Sequence, residues 1–446
     1  MAQSKTDRIF HALRQRIESG ELAEGTKLMS LRQASERFGA SKNVIVTVYD
    51  KLVAHGLARS RRGSGFYVTR LAPSIAEPTN LREASDTVSL LHVQLDRPYT
   101  VLAGDGRPPE SWMMTTMPAI TLPAGEGGYG SPHGLLALRE CIAAAQVAAG
   151  ITTTPAQIVT TFGANHALDL VIRRFTRPGD TVLVDDPGYY PLFSKLKLAE
   201  VNFVGIPRTP KGPDPQSLEA AAQKHRARLF FTQSLAQNPT GCSIDLPSAH
   251  AILKVADRYE MLVIDDDPFI DLPGVRGTRL AALDQFRRVI QIGSYSKILS
   301  PSLRSGFLIA EPEIAASIAE LKMILAVNSS SHTERLIAEV IRSRRFEKVR
   351  TSLRRRLDRE REDGVERLER LGFRPFAPPD GGLYGYVYLP EGLDDMEVSH
   401  MAAQKGILLA PGSLFRVTGR SDRPSMRVNW SRVQDSRFYS FLRTLG

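Results

Sequence analysis

The feature that most constrains this sequence is a repeated local pattern in its middle. Short apolar runs at residues 158–161, 181–184, 229–232, 262–264, 289–292 and 307–309 read as strands, and helical patterns lie between most of them. Such alternation predicts an α/β body around a largely parallel sheet, because parallel neighbours need a crossover that a helix supplies. In folds of this kind ligands gather beyond the carboxyl ends of the strands. The residues directly after each run are therefore where chemistry is expected.

Those residues are small, polar or aromatic. Gly163-Ala164-Asn165 opens a helix whose face carries Leu168, Val171, Ile172 and Phe175, and a helix N-terminus of small residues suits a phosphate. Asp186-Pro187-Gly188-Tyr189-Tyr190 is a turn that can also present a ring to a flat ligand. Asn238-Pro239-Thr240-Gly241 is a turn or a polar anchor. Asp265, Asp266 and Asp267 close an apolar run with carboxylates, which need partners once buried. Gly293-Ser294-Tyr295-Ser296-Lys297 comes next, with Pro301 and Arg304 beyond it. Each piece alone has an ordinary structural reading. Together they match the needs of pyridoxal phosphate: a lysine amine for a Schiff base, a carboxylate for the ring nitrogen, phosphate donors, an aromatic face and an asparagine near the ring oxygen.

The charge is concentrated elsewhere. Lys and Arg number 58 against 48 Asp and Glu, a formal net charge of +10. Thirteen of those bases but only six of the acids fall in residues 1–70, so a small basic head precedes a nearly neutral body. An excess of that sign implies an acidic partner, nucleic acid being the usual one. Ile9, Phe10, Leu13 and Ile17 share a helical face that ends at Gly20. A second short helix spans about 30–38, with Leu31, Ala34 and Phe38 inward, and Gly39-Ala40 turns the chain. Ser41 caps a third helix in which Ile45, Val48, Tyr49 and Leu52 recur at helical spacing. Its opposite face shows Lys42, Asn43, Val46 and Asp50. Two strands, 57–60 and 65–69, follow, joined by Arg61-Arg62-Gly63-Ser64. This is the order of a winged helix-turn-helix, whose third helix enters a major groove N-terminus first. Lys42 and Asn43 then face base edges or phosphates, Arg32 the backbone, and Arg61 and Arg62 the wing tip. Residues 71–87, rich in Pro, Ser, Thr and Glu, read as a linker, leaving 88–446 as the body.

The run SLRQASERFGASKNVIVTVYDKLVAHGLARSRRGSGFYV resembles the winged-helix head of GntR-type bacterial regulators, which usually carry Pro where Met29 stands and Arg where Val46 stands. The resemblance implies double-stranded operator DNA as partner, with Arg32, Ser41, Lys42, Asn43, Arg61 and Arg62 as the candidate contacts. From about residue 90 onward the chain resembles fold-type I aminotransferases. By that resemblance Lys297 is the Schiff-base lysine, Asp266 faces the pyridine nitrogen, and Asn238 serves the ring oxygen and a substrate carboxylate. Tyr189 stacks on the ring, while Ala164, Asn165, Ser294, Ser296 and Arg304 cradle the phosphate. Arg427, in SMRVNW, takes an α-carboxylate. Tyr129, in GYGSPHG, resembles a tyrosine lent by a neighbouring subunit, which implies a homodimer. Phe269 stands where the family usually has a tyrosine; it cannot donate a hydrogen bond to the ring oxygen, and slow transamination is expected from that loss.

A winged-helix head on an aminotransferase-like body resembles the MocR subgroup of GntR regulators. The resemblance implies a transcription factor whose body senses an amino acid or amine, or pyridoxal phosphate itself. The rival reading is an active aminotransferase bearing a DNA-binding head. Cys141 and Cys242 are too far apart for a metal or disulfide framework, so a reducing cytoplasm is expected and no metal. Residues 1–10 lack an apolar signal core, and the longest uncharged stretch, 141–168, holds Pro155 and two glutamines, which argues against a membrane span. The dense Arg/Glu/Asp tract at 342–370 reads as a solvated helical face with i,i+4 pairs.

Overall fold

A computed structural model describes residues 5–18, 21–54, 57–61, 64–69, 79–87, 99–114, 117–120, 128–421 and 423–445. The chain divides between Pro78 and Thr79 into two units.

In the first unit, α1 (Lys5–Glu18), α2 (Leu31–Phe38) and α3 (Lys42–Ala54) precede a wing in which β1 (Ala58–Arg61) pairs antiparallel with β2 (Gly65–Val68). Ile9, Phe10, Leu13 and Ile17 bury against Ile45, Val48, Tyr49 and Leu52, the two faces that the spacing marked. Ser30 and Gln33 cap each other's backbone at the start of α2, a device worth about 1 kcal/mol. Gly39 follows with φ 55°, a left-handed turn that glycine adopts without strain. Only Ala34 of α2 is fully buried; Leu31 and Phe38 pack at the edge of the core.

The second unit begins with α4 (Thr79–Thr87), nine residues that composition assigned to the linker. The prolines of that stretch stop at Pro78. Beyond them Ala84 is buried, and the Asn80 amide donates to the Leu198 carbonyl (3.0 Å) and the Glu200 carboxylate (3.3 Å).

Eight strands form the main sheet: β3 (Ile158–Thr161), β4 (Thr181–Asp186), β5 (Asn202–Thr209), β6 (Gly212–Pro213), β7 (Leu229–Thr232), β8 (Leu262–Asp267), β9 (Val289–Ser294) and β10 (Gly306–Ile309). Their order is β3-β10-β9-β8-β7-β4-β5-β6. The run from β9 to β5 is parallel, β10 is antiparallel to both neighbours, and β6 folds back on β5, so the sheet is mixed. Successive residues feed opposite cores: Leu183, Phe230 and Val263 one, Val184, Phe231 and Ile264 the other. Burial on both faces explains why these strands read as continuous apolar runs. The chain moves outward from β4 to β5 on one side and from β7 through β8 to β9 on the other. The topological switch therefore lies between β4 and β7.

A smaller antiparallel sheet, β11 (Arg374–Pro375), β12 (Tyr384–Tyr388), β13 (Ala410–Pro411) and β14 (Ser425–Asn429), has the order β11-β12-β14-β13. Trp430 lies so close to β12 that a Cβ on Gly385 would come within 2.1 Å of its indole. The helix Arg344–Arg370 buries Leu353, Leu357 and Leu368 and links Arg354 to Asp358 and Arg367 to Asp363 along its wet side. Among the described residues no helix is long and apolar enough to cross a membrane.

Candidate functional site

The carboxyl ends of β4, β7, β8 and β9 open into a cleft of about 310 Å³, which residues of the small sheet close from the other side. Asp266, Lys297, Asn238, Tyr189, Ala164, Asn165, Ser294, Ser296, Arg304 and Arg427 all line it. Tyr129, expected in a neighbouring subunit's cleft, is 88% exposed and lies outside its own. One expected member does not line the cleft. Phe269 is buried behind the wall, its ring edge-on to Tyr384 with centroids 5.9 Å apart. An apolar ring is at home in that core, where a hydroxyl would need a partner.

The period of a strand sorts the three aspartates. Asp265 accepts from Ser234 N (2.9 Å) and Oγ (2.7 Å), and Asp267 from Arg279 Nε and Phe269 N (both 3.0 Å). Asp266, between them, turns into the cleft. Its Oδ2 accepts from Gln233 Nε2 at 2.8 Å, and its Oδ1 has no hydrogen-bond partner. Burial pushes Asp266 up to about 6, against the pull of Gln233. Burial and the neighbouring Asp267 carry Asp265 to about 7.

Gln233, which the sequence did not single out, ties two motifs together. Its Oε1 accepts from Asn238 N at 2.7 Å while its amide holds Asp266. Asn238 Oδ1 in turn accepts from Arg427 Nη1 at 3.1 Å. Arg427 is 2% exposed, sits over the rings of Tyr384 and Phe415, gives Nη2 to the Gly104 carbonyl, and leaves Nε without a partner. Lys297, on the turn after β9, donates to the Gly106 carbonyl. Asp105, Gly106, Arg107 and Tyr384 are further lining residues without a prior signal. They come from segments with no readable strand–turn pattern.

The phosphate end is built on glycine. Gly163 starts the helix Ala164–Phe175 with φ 86° and no side-chain cap. A Cβ there would come within 2.9 Å of Arg304 Nη2. The first helical N–H groups are thus left facing the cleft beside a guanidinium. Arg304 itself reaches the Phe162 carbonyl at 2.9 Å. The cleft fits pyridoxal phosphate: an orphaned carboxylate oxygen for a protonated ring nitrogen, an amine, an aromatic ring on Tyr189 and an uncapped helix end for the phosphate. Burial holds the Tyr189 phenol well above its usual range, which keeps it neutral.

The raised acid of Asp266 has a consequence for stability. Between its ordinary 3.8 and about 6, the folded cofactor-free chain keeps a proton that the unfolded chain has released. Asp266 therefore costs the fold progressively more stability as pH rises through that window. Cofactor-free D266N should match the unmodified protein near pH 4, exceed it increasingly up to about 6, and hold the cofactor more weakly. Urea denaturation at stepped pH checks this; a difference that stays constant across the window contradicts it.

In the head, Lys42 and Asn43 are exposed on the first turn of α3, where Ser41 Oγ accepts from Val44 N at 3.4 Å. Arg32 is exposed and forms a surface pair with Glu36 at 3.3 Å, too weak to hold it back from a phosphate. Arg61 lies over the Tyr67 ring at 4.8 Å, with Lys27 on the same ring. Arg62 lies outside the described residues.

Residues 99–442 match the family described as aminotransferase class I and II, and residues 5–68 match the gntR family of bacterial regulatory proteins. YdcR of Escherichia coli, an HTH-type transcriptional regulator, is 28% identical over 452 residues, spanning 96% of this chain and 93% of its own. A probable rhizopine catabolism regulatory protein, MocR of Rhizobium meliloti, is 28% identical over 330 residues, spanning 69% of this chain and 65% of its own. Among solved structures, the α-aminoadipate aminotransferase LysN of Thermus thermophilus superposes with a TM-score of 0.71 at 23% identity, over 84% of this chain and 97% of that one. The body has the fold of type I pyridoxal-phosphate enzymes. The chain belongs to the class I and II aminotransferase family and carries a gntR-type head, the arrangement of the MocR subgroup of GntR regulators.

Proposed function

We propose that this protein is a transcriptional regulator that binds operator DNA through its head and senses an amino acid or amine through pyridoxal phosphate held on Lys297. The observation that carries this reading is the union, in one chain, of a basic winged helix with a cleft where Lys297, the orphaned oxygen of Asp266 and the buried Arg427 converge. Asp266 keeps the ring nitrogen protonated. Ala164 and Asn165 at the helix end, the Ser294 and Ser296 hydroxyls and Arg304 take the phosphate, and Tyr189 covers the ring. Asn238 serves the ring oxygen and, with Arg427, a ligand carboxylate. When bound, the cofactor supplies an electrophilic carbon at which a ligand's primary amine can displace that of Lys297. A ligand then shifts the regulator between two states only by its differential affinity for them, typically about 1–3 kcal/mol.

The acting unit in this reading is a homodimer in the bacterial cytoplasm, associated with the nucleoid when bound to DNA. Tyr129, exposed and outside its own cleft, suits a contribution to a second copy. The exposed Met323, Ile324 and Leu325 supply apolar surface for the same contact. Arg32, Ser41, Lys42, Asn43, Arg61 and Arg62 make the DNA contacts. Each phosphate contact removed should flatten the dependence of log K on log salt by about one unit. Lys42→Ala is expected to do so in a gel-shift titration, while Lys297→Ala leaves the slope as it was.

The deciding experiment pairs gel shifts on the protein's own upstream region, with and without pyridoxal phosphate and an amino-acid panel, with single-turnover spectroscopy. Operator affinity should move about 5- to 150-fold with ligand, and turnover should stay well under the range of ordinary enzymes. Turnover at around 1–1000 per second would replace the regulator by an aminotransferase bearing a DNA-binding head.

A further inference from the structure

The cleft contains a phenol that no sequence motif announced. Tyr384, on β12, is buried, lines the cleft, and donates its hydroxyl to the Gly106 carbonyl at 3.0 Å. Lys297 Nζ donates to the same oxygen at 2.5 Å. Two donors on one acceptor can be no farther apart than the two bonds laid end to end, so the Tyr384 hydroxyl lies within the summed length of those bonds from the Lys297 nitrogen, on the same side of the cleft as the Gly106 carbonyl. Phe269 offers no donor there; it lies behind Tyr384, ring against ring. The Tyr189 hydroxyl points away, to Asn165 Oδ1 at 3.5 Å.

The chemistry of the cofactor ties this position to one atom. The ring oxygen of pyridoxal phosphate is ortho to the carbon that binds an amine, so a donor close to the Lys297 nitrogen comes within reach of that oxygen. We propose that the Tyr384 hydroxyl is the hydrogen-bond donor to the cofactor ring oxygen, the role that Phe269 cannot fill; this rests on the cofactor reading above. The interaction makes and breaks no covalent bond. It favours the anionic ring oxygen and hence the unprotonated Schiff base. The other charged groups facing this point are Asp266 from β8, Arg427 from β14, Arg304, and the Asp105–Arg107 pair. All are retained in the variants below.

The test follows the visible absorption of the loaded full-length chain against pH, with borohydride fixation confirming that the cofactor is on Lys297. Tyr384→Phe should raise the midpoint by about one unit, tenfold in the protonation equilibrium. Adding Phe269→Tyr to that variant should bring the midpoint back, because the two rings are neighbours. Phe269→Tyr alone should move it much less than Tyr384→Phe does. A loaded Tyr384→Phe protein with an unmoved midpoint overturns the proposal, as does a large shift confined to Phe269→Tyr. If the unmodified protein shows no visible band that borohydride fixes to Lys297, the cofactor reading itself fails and this assignment falls with it.

Discussion

Replacing Lys297 by alanine will abolish the Schiff-base absorption of the loaded protein and all borohydride fixation at that position. The expected effect is complete, because among the described residues lining the cleft Lys297 carries the one amine, and it follows a turn in which Ser296 N donates to Ser294 Oγ at the end of β9. The Gly163 helix end and Arg304 remain, so the variant should still take up pyridoxal phosphate, loosely and by exchangeable contacts. Peptide mass mapping after reduction checks the position of the link. Label on Lys322 would contradict the assignment most directly. Burial lowers that lysine to about 8, which makes its amine more available, but it is turned to the Thr160 carbonyl at 2.8 Å. The head of the variant should bind DNA as before.

Arg427→Met will weaken binding of amino acids about a hundredfold or more and leave the corresponding amines nearly unaffected. Each hydrogen bond to a charged group contributes about 1.5–3 kcal/mol, and a guanidinium offers two in parallel to a carboxylate. Methionine fills a similar volume without leaving a cavity. It also removes a buried cation whose Nε has no partner, so thermal stability should hold or rise. Titrating the visible band with an amino acid and with its decarboxylated amine, on both proteins, separates the two ligand classes. Equal weakening of acid and amine would mean that Arg427 shapes the cleft rather than reading the carboxylate.

The parts that could be read in advance are those where local sequence and final position coincide. The faces Ile9-Phe10-Leu13-Ile17 and Ile45-Val48-Tyr49-Leu52 needed only helical periodicity, and they meet as the periodicity requires. The pieces carrying Asn165, Tyr189, Asn238 and Lys297 were visible because each follows its strand within a few residues, and Asp266 because it closes the apolar run of β8; a doubly wound sheet brings those ends together. β5 was missed because Asn202–Thr209 holds Gly205 and Pro207 and its residues do not alternate. The small sheet was missed because β11 and β13 are two residues long, and its two longer strands, β12 and β14, pair across an intervening helix and β13. Gln233 and Tyr384 act through contacts across the fold, to Asp266 and Gly106, and no short window along the chain contains those contacts. Phe269 illustrates the opposite limit: its position in the motif was legible, but whether its ring enters the cleft depended on how β12 packs against it.

The sensing cleft is also completed long after the head. The Asn429 side chain at the end of β14 donates to the Asp105 carbonyl at 2.8 Å, across 324 residues of sequence, and Arg427 two positions earlier reaches Gly104 and Asn238. Synthesis runs from the N-terminus at about 5–20 residues per second, and domains fold as they emerge. The head is therefore complete while the far wall of the cleft has yet to be made. For an interval on the order of tens of seconds at those rates, a nascent chain carries a folded DNA-reading head and no functioning receptor. Its responsiveness to ligand is acquired only when the final strand slots between β12 and β13.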